Sequence, residues 1–129
     1  MTTPRVLSVG QCGMDHGRIA RYLRNTFGAG VDDADTAAEA LDALRAGGVG
    51  LVLVNRILDA DGSPGLDLIR AIKSDPALAG TPTMLVSNYP EAQQEATSLG
   101  ALPGFGKADV GREKARAALE AALNPAESQ

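Results

Sequence analysis

The sequence predicts an α/β fold in which five parallel strands form one doubly wound sheet covered by helices on both faces. Three observations carry this. Short apolar runs alternate with helical patterns from one end of the chain to the other. The run Leu51-Val52-Leu53-Val54 is apolar without interruption, as a central strand buried on both faces must be. With 129 residues, 44% of them hydrophobic, the chain can bury one core without help from disulfides or metal.

The elements follow in order. Arg5–Val9 reads as the first strand, stopped by the turn Gly10–Gly13. Ile19, Leu23 and Phe27 then recur at helical spacing, with Asp15 as the expected N-cap. A second strand near Ala29–Ala34 is rich in Gly and Asp, which suits an edge position. Thr36 and Glu39 form a T-x-x-E capping box ahead of a helix that turns Ala40, Leu41 and Leu44 inward and stops at Gly47-Gly48. After the central strand, Ser63-Pro64 supplies an N-cap and a proline for a helix with Leu66, Ile69 and Ile72 on one face. Thr83–Ser87 is the fourth strand, Glu91–Leu99 a short helix ended by Gly100, and Phe105 marks a brief fifth strand. A last helix is expected from Val110 to Leu123, terminated by Asn124-Pro125.

Composition narrows the function. A net charge of −4 argues against nucleic acid as the main partner. The single Cys12 cannot form an internal disulfide, which suits a reducing cytoplasm. No stretch reaches the apolar length of a membrane span, and residues 1–20 lack the apolar block of a signal peptide. Right-handed crossovers bring the carboxyl ends of the first, third, fourth and fifth strands to one edge. Gly10, Asn55, Ser87 and Lys107 should therefore meet there.

Leu66-Asp67-Leu68-Ile69-Arg70, Ser74-Asp75-Pro76-Ala77-Leu78, Gly100-Ala101 and Lys107, taken in order and spacing, resemble the receiver domain of two-component response regulators. The resemblance covers nearly the whole chain. It implies a flavodoxin-like (βα)5 fold, a receiver-like domain over residues 1–124 and a tail over 125–129. It also implies that Ser87 and Lys107 are retained members of a phosphoryl pocket.

The departures fall on the reaction centre. The family's acidic pair becomes Gly10 and Gln11, and its phosphoacceptor aspartate becomes Asn55. An amide is a very poor nucleophile, because its nitrogen lone pair is delocalised and its oxygen is neutral. Mg²⁺ wants carboxylate oxygens, and these three positions offer none. The family's switch aromatic appears as Gly104, the proline after its lysine as Ala108, and the loop Arg56–Gly65 is longer than usual.

The expected function is that of a pseudo-receiver, a non-catalytic signalling module without cofactor or metal. By resemblance it would contact protein partners through the fourth helix, fifth strand and fifth helix, with homodimer formation through the same face left open. No effector pattern follows, so output is expected in trans. Two competing readings are a phosphoacceptor displaced to Asp59 or Asp61, and a small-ligand sensor using the crevice. The stretch Asp59-Ala60-Asp61-Gly62 reads more simply as a solvated turn. Cys12 and His16 offer too few ligands for a metal, and the turn Gly10–Gly13 lacks the Lys-Ser/Thr of a P-loop. Arg18, Arg21 and Arg24 read as a solvated basic face. Lys107 is expected to rest on the neutral oxygen of Asn55 or Gln11. Acids placed at Gly10, Gln11 and Asn55 together are expected to rebuild a metal site.

Overall fold

A computed structural model describes residues 4–123. Its single sheet has the order β2-β1-β3-β4-β5, with every pairing parallel. The strands are β1 (Arg5–Val9), β2 (Gly30–Ala34), β3 (Leu51–Asn55), β4 (Thr83–Val86) and β5 (Leu102–Phe105). The helices are α1 (Gly13–Phe27), α2 (Ala37–Ala46), α3 (Gly65–Ser74), α4 (Pro90–Ser98) and α5 (Glu113–Leu123). The strand order reverses between β1 and β3, and the crevice beyond their carboxyl ends is where such sheets bind ligands. The expected terminator Asn124-Pro125 and the tail 125–129 lie outside the described residues.

Alternation along β3 builds two cores. Leu51 and Leu53 face α1 and α5, joining Val6, Ile19, Leu23, Phe105 and Leu119. Val52 and Val54 face α2, α3 and α4, joining Leu7, Val9, Leu44, Ile69 and Ile72. Every residue of β3 is buried, so its unbroken apolar run is a consequence of being covered on both sides. β2 lies at one edge, and its two aspartates point to solvent.

Local signals hold in part. Thr36 Oγ1 accepts from Glu39 N at 3.2 Å, while Glu39 Oε1 accepts from Asp35 N at 2.8 Å, so the box reaches back one residue further than usual. Two expected caps are corrected. Asp15 lies in the first turn of α1, whose N-cap is Cys12, because a neighbouring charge claims its carboxylate. Ser63 does not cap α3; both its N–H and its hydroxyl donate to Asp61, and Pro64 occupies the N-cap position. In α3 the fully buried leucine is Leu68, with Leu66 only partly covered. The last helix starts at Glu113, three residues later than expected. A 3-10 turn over Lys107–Asp109 comes first, and Gly111 at φ 87° interrupts the helical path between the two.

Gly10 occupies the left-handed region at φ 75°, directly against Leu58. A Cβ there would overlap the Leu58 side chain and lie 2.9 Å from its Cα. Gly10→Ala should therefore cost about 2–4 kcal/mol in urea unfolding, from backbone strain plus overpacking. Gly17→Ala, inside α1 with open space around it, should instead gain about 0.5–1 kcal/mol.

Candidate functional site

Asn55 ends β3 and is 8% exposed. Its Nδ2 donates to Gly10 O at 3.1 Å and to Ile57 O at 2.8 Å, and its Oδ1 accepts from Arg56 N at 3.0 Å. Gly10 O also accepts from Asp59 N at 2.9 Å. The amide therefore ties the β1–α1 loop to the β3–α3 loop. The second of these loops is closed on itself by Leu58 N to Ser63 O, Gly62 N to Leu58 O and Gly65 N to Arg56 O. Leu58 points inward, fully buried on Gly10, and fills the space that a side chain at position 10 would need. Ile57, one residue earlier, points out and is 39% exposed.

Expectation and structure part at Lys107. Its Nζ lies 2.8 Å from Asp15 Oδ2, so it pairs with a carboxylate rather than with the amide of Asn55 or Gln11. The two side chains keep 33% and 23% of their exposure, enough water for a modest ion pair. The hydrogen bond from Lys107 holds the Asp15 carboxyl below its usual range; partial burial opposes this, and a hydrogen bond from Cys12 adds to it. A full charge outcompetes a neutral oxygen for an ammonium, which is the physical reason for the change. Lys107 still lines a shallow cleft of about 200 Å³ together with Asn55, Ser87 and Tyr89. Ser87 Oγ is turned to its own loop, accepting from Tyr89 N at 3.1 Å.

The donor set does not suit Mg²⁺. Gly10 brings no side chain, Asn55 offers one neutral oxygen that already accepts from Arg56 N, and Asp15 is neutralised by Lys107. Gln11 is 5% exposed, and neither amide atom has a hydrogen-bond partner among the described residues. A carboxylate there would be a buried, unpaired charge, which costs far more than an unpartnered amide. At Gly10 the Leu58 contact and the positive φ oppose any side chain, so the three-acid rebuilding expected from the sequence meets a steric penalty there. Among the described residues, no three His, Cys, Asp or Glu side chains converge as metal ligands. Asp61 accepts from Ser63 twice, a local turn in keeping with the simpler reading of that stretch. His16 Nδ1 lies 3.8 Å from Asp33 Oδ1, across from β2.

On the far side of the cleft, Gln93 of α4 carries a role that its sequence position did not reveal. Its Nε2 donates to Leu85 O at 2.9 Å and Ser87 O at 3.1 Å, while its Oε1 accepts from Gly104 N at 3.1 Å. This bridges the register shift between β4 and β5. A Cβ at Gly104 would overlap Leu85 O and sit 3.0 Å from Gln93 Oε1, so position 104 admits glycine alone without rearrangement. Leu58 did carry a sequence signal, a lone leucine beside a run of turn residues. Gln93 carried none, since a glutamine on a polar helix is ordinary.

Solved structures place this architecture. A putative response regulator from Chloroflexus aurantiacus J-10-fl superposes with a TM-score of 0.82 at 17% identity, covering 95% of this chain and 98% of that one. The phosphorylated cyanobacterial phytochrome response regulator RcpA gives 0.75 at 19% identity, covering 96% of each chain. The signal receiver domain of a DNA-binding response regulator from Colwellia psychrerythraea 34H gives 0.73 at 21% identity, covering 98% and 99%. The chain has the receiver fold. At these identities the likeness carries the fold and nothing finer. No protein-family model matches the sequence, and no curated protein matches it.

Two outcomes follow from the site. Asn55→Asp would point a carboxylate at two carbonyl oxygens that now receive hydrogen bonds, and should cost about 2–4 kcal/mol at pH 7. Burial among acceptors raises that new carboxyl's folded pKa, so denaturation midpoints should recover as pH falls and the acid becomes a donor. The Asp15–Lys107 pair has the opposite sign. Because the Asp15 folded pKa is lowered, its stabilisation is present above the ordinary carboxylate range and is lost as pH falls through the lowered value. Lys107→Met should cost about 0.5–1 kcal/mol at neutral pH and progressively less in acid, read by thermal melts across pH.

Proposed function

We propose that this receiver-fold chain is a pseudo-receiver, a protein-interaction module of two-component type that takes no phosphoryl group at position 55 and catalyses no reaction. One observation carries the reading. The residue at the end of β3 is an amide whose donors hold two loops together through Gly10 O and Ile57 O. A phosphoacceptor needs a free, charged oxygen and a cation clamp on the developing charge. Here the nucleophile is absent, the space beside it is filled by Leu58, and the retained lysine neutralises Asp15.

The partner is a protein, and the contact face is α4, β5 and α5. A groove of about 510 Å³ runs across it, lined by Asn88, Gln93, Gly104 and Lys114 among others. The Gln93 bridge fixes this face in one arrangement, which suits constitutive binding rather than switching. Pro103 has no N–H to offer along β5, so pairing of two copies through that edge strand is disfavoured, and any homodimer would use the helices. With net charge −4, nucleic acid is not the partner. Among the described residues no helix is long and apolar enough to cross a membrane. The lone Cys12 suits a cytoplasmic setting.

Incubation with acetyl phosphate and Mg²⁺, read by intact mass, should leave the chain unmodified, and Mg²⁺ titration should leave the amide shifts around Asn55 unchanged. Asn55→Asp should also stay unmodified, because it restores the nucleophile but not the cation clamp. A stable phosphoryl adduct on the wild-type chain, at Asp59, Asp61 or elsewhere, would overturn the reading. An adduct on the single variant would show that a metal site survives.

A further inference from the structure

Four large apolar side chains stand exposed among the described residues, and two of them, Ile57 and Tyr89 (55% exposed), border a single groove. It lies between the β3–α3 loop and α4, holds about 340 Å³, and is also lined by Pro64, Leu66 and Ala92. This is not the α4, β5 and α5 face. Glu91 and Glu95 form its rim, four residues apart on α4 and thus on one side of the helix. Among the described residues no basic side chain pairs with either carboxylate. The groove's own cation, Arg56, is already engaged, its guanidinium 4.8 Å above the Tyr89 ring.

Ile57 is held outward by the surrounding bonds. Asn55 Nδ2 grips its carbonyl, Ile57 bridges to Pro64, and Leu58 beneath it is locked on Gly10. An apolar side chain fixed in this way loses little freedom when a partner covers it. We propose that this groove docks a basic amphipathic helix of a partner protein. Apolar side chains of that helix would lie against Ile57, Leu66 and Tyr89, and Lys or Arg one turn apart would meet Glu91 and Glu95. A helix is the occupant because the groove offers no open strand edge to extend. A second copy of this chain does not fit. Its basic helix α1 turns Ile19, Ala20 and Leu23 into its own core and leaves Met14 as its large exposed apolar side chain. The acidic rim likewise opposes anionic lipid.

The test uses the full chain and two short designed helices, one of leucine and lysine, the other of leucine and glutamate in the same pattern. The lysine peptide should shift the backbone amides of Ile57, Leu66 and Ala92 saturably, and the glutamate peptide should not. Ile57→Ser, at an exposed position that leaves the fold intact by circular dichroism, should weaken binding about tenfold. Glu91→Lys with Glu95→Lys should abolish lysine-peptide binding and admit the glutamate peptide. Equal binding of both peptides, or indifference to the charge reversal, overturns the proposal. So does self-association that Ile57→Ser abolishes, or binding to anionic vesicles in place of the peptide. Shifts centred on Gly104 and Lys114 would also overturn it while leaving the α4, β5 and α5 reading standing.

Discussion

Two hydrogen bonds from the Asn55 amide, to Gly10 O and Ile57 O, organise the carboxyl edge of this sheet. They work because an amide donates where a carboxylate can only accept. With donors available at the end of β3, the carbonyls of two loops can turn inward. The longer β3–α3 loop then folds back until Leu58 rests on Gly10. The space between the two loops is then filled by the Leu58 side chain beside the buried amides of Asn55 and Gln11. The donor at position 55 is consistent with its surroundings: glycine at position 10, Leu58 resting on it, and Lys107 paired with Asp15 instead of with position 55.

Lys107 finds it on α1. The ion pair with Asp15 links the end of β5 to the first turn of α1, while Arg56, stacked on Tyr89, is the second cation lining the cleft with Asn55 and Ser87. Its net value is modest because both groups remain partly hydrated. It joins the β5–α5 connection to α1, and the 3-10 turn that carries Lys107 is closed by Asp109 accepting from Gly106 N at 3.0 Å.

The opposite side of the cleft is fixed by a different polar group. Gln93 supplies from α4 the hydrogen bonds that the β4–β5 register shift leaves unmade, and the strand pays for this with a glycine at 104. A bulky side chain at that position would be forced against Leu85 O. α4 is consequently tied to the sheet through its polar face as well as through buried Ala96 and partly buried Ala92.

By itself the sequence determined the architecture: alternation of apolar runs with helical periods, the continuous run Leu51–Val54, and the Thr36–Glu39 box each act over a few residues. Local patterns of that kind are legible because their partners are near in the chain. The gathering of Asn55, Ser87 and Lys107 at one cleft was legible too, since crossover handedness dictates which strand ends meet. Which partner each polar group would take was not. Asp15 to Lys107, Asn55 to Gly10 and Gln93 to Gly104 are contacts between residues 92, 45 and 11 positions apart. Only the folded sheet sets those distances. A charge or an amide takes the strongest acceptor or donor that tertiary packing puts within reach, and that choice is made in three dimensions.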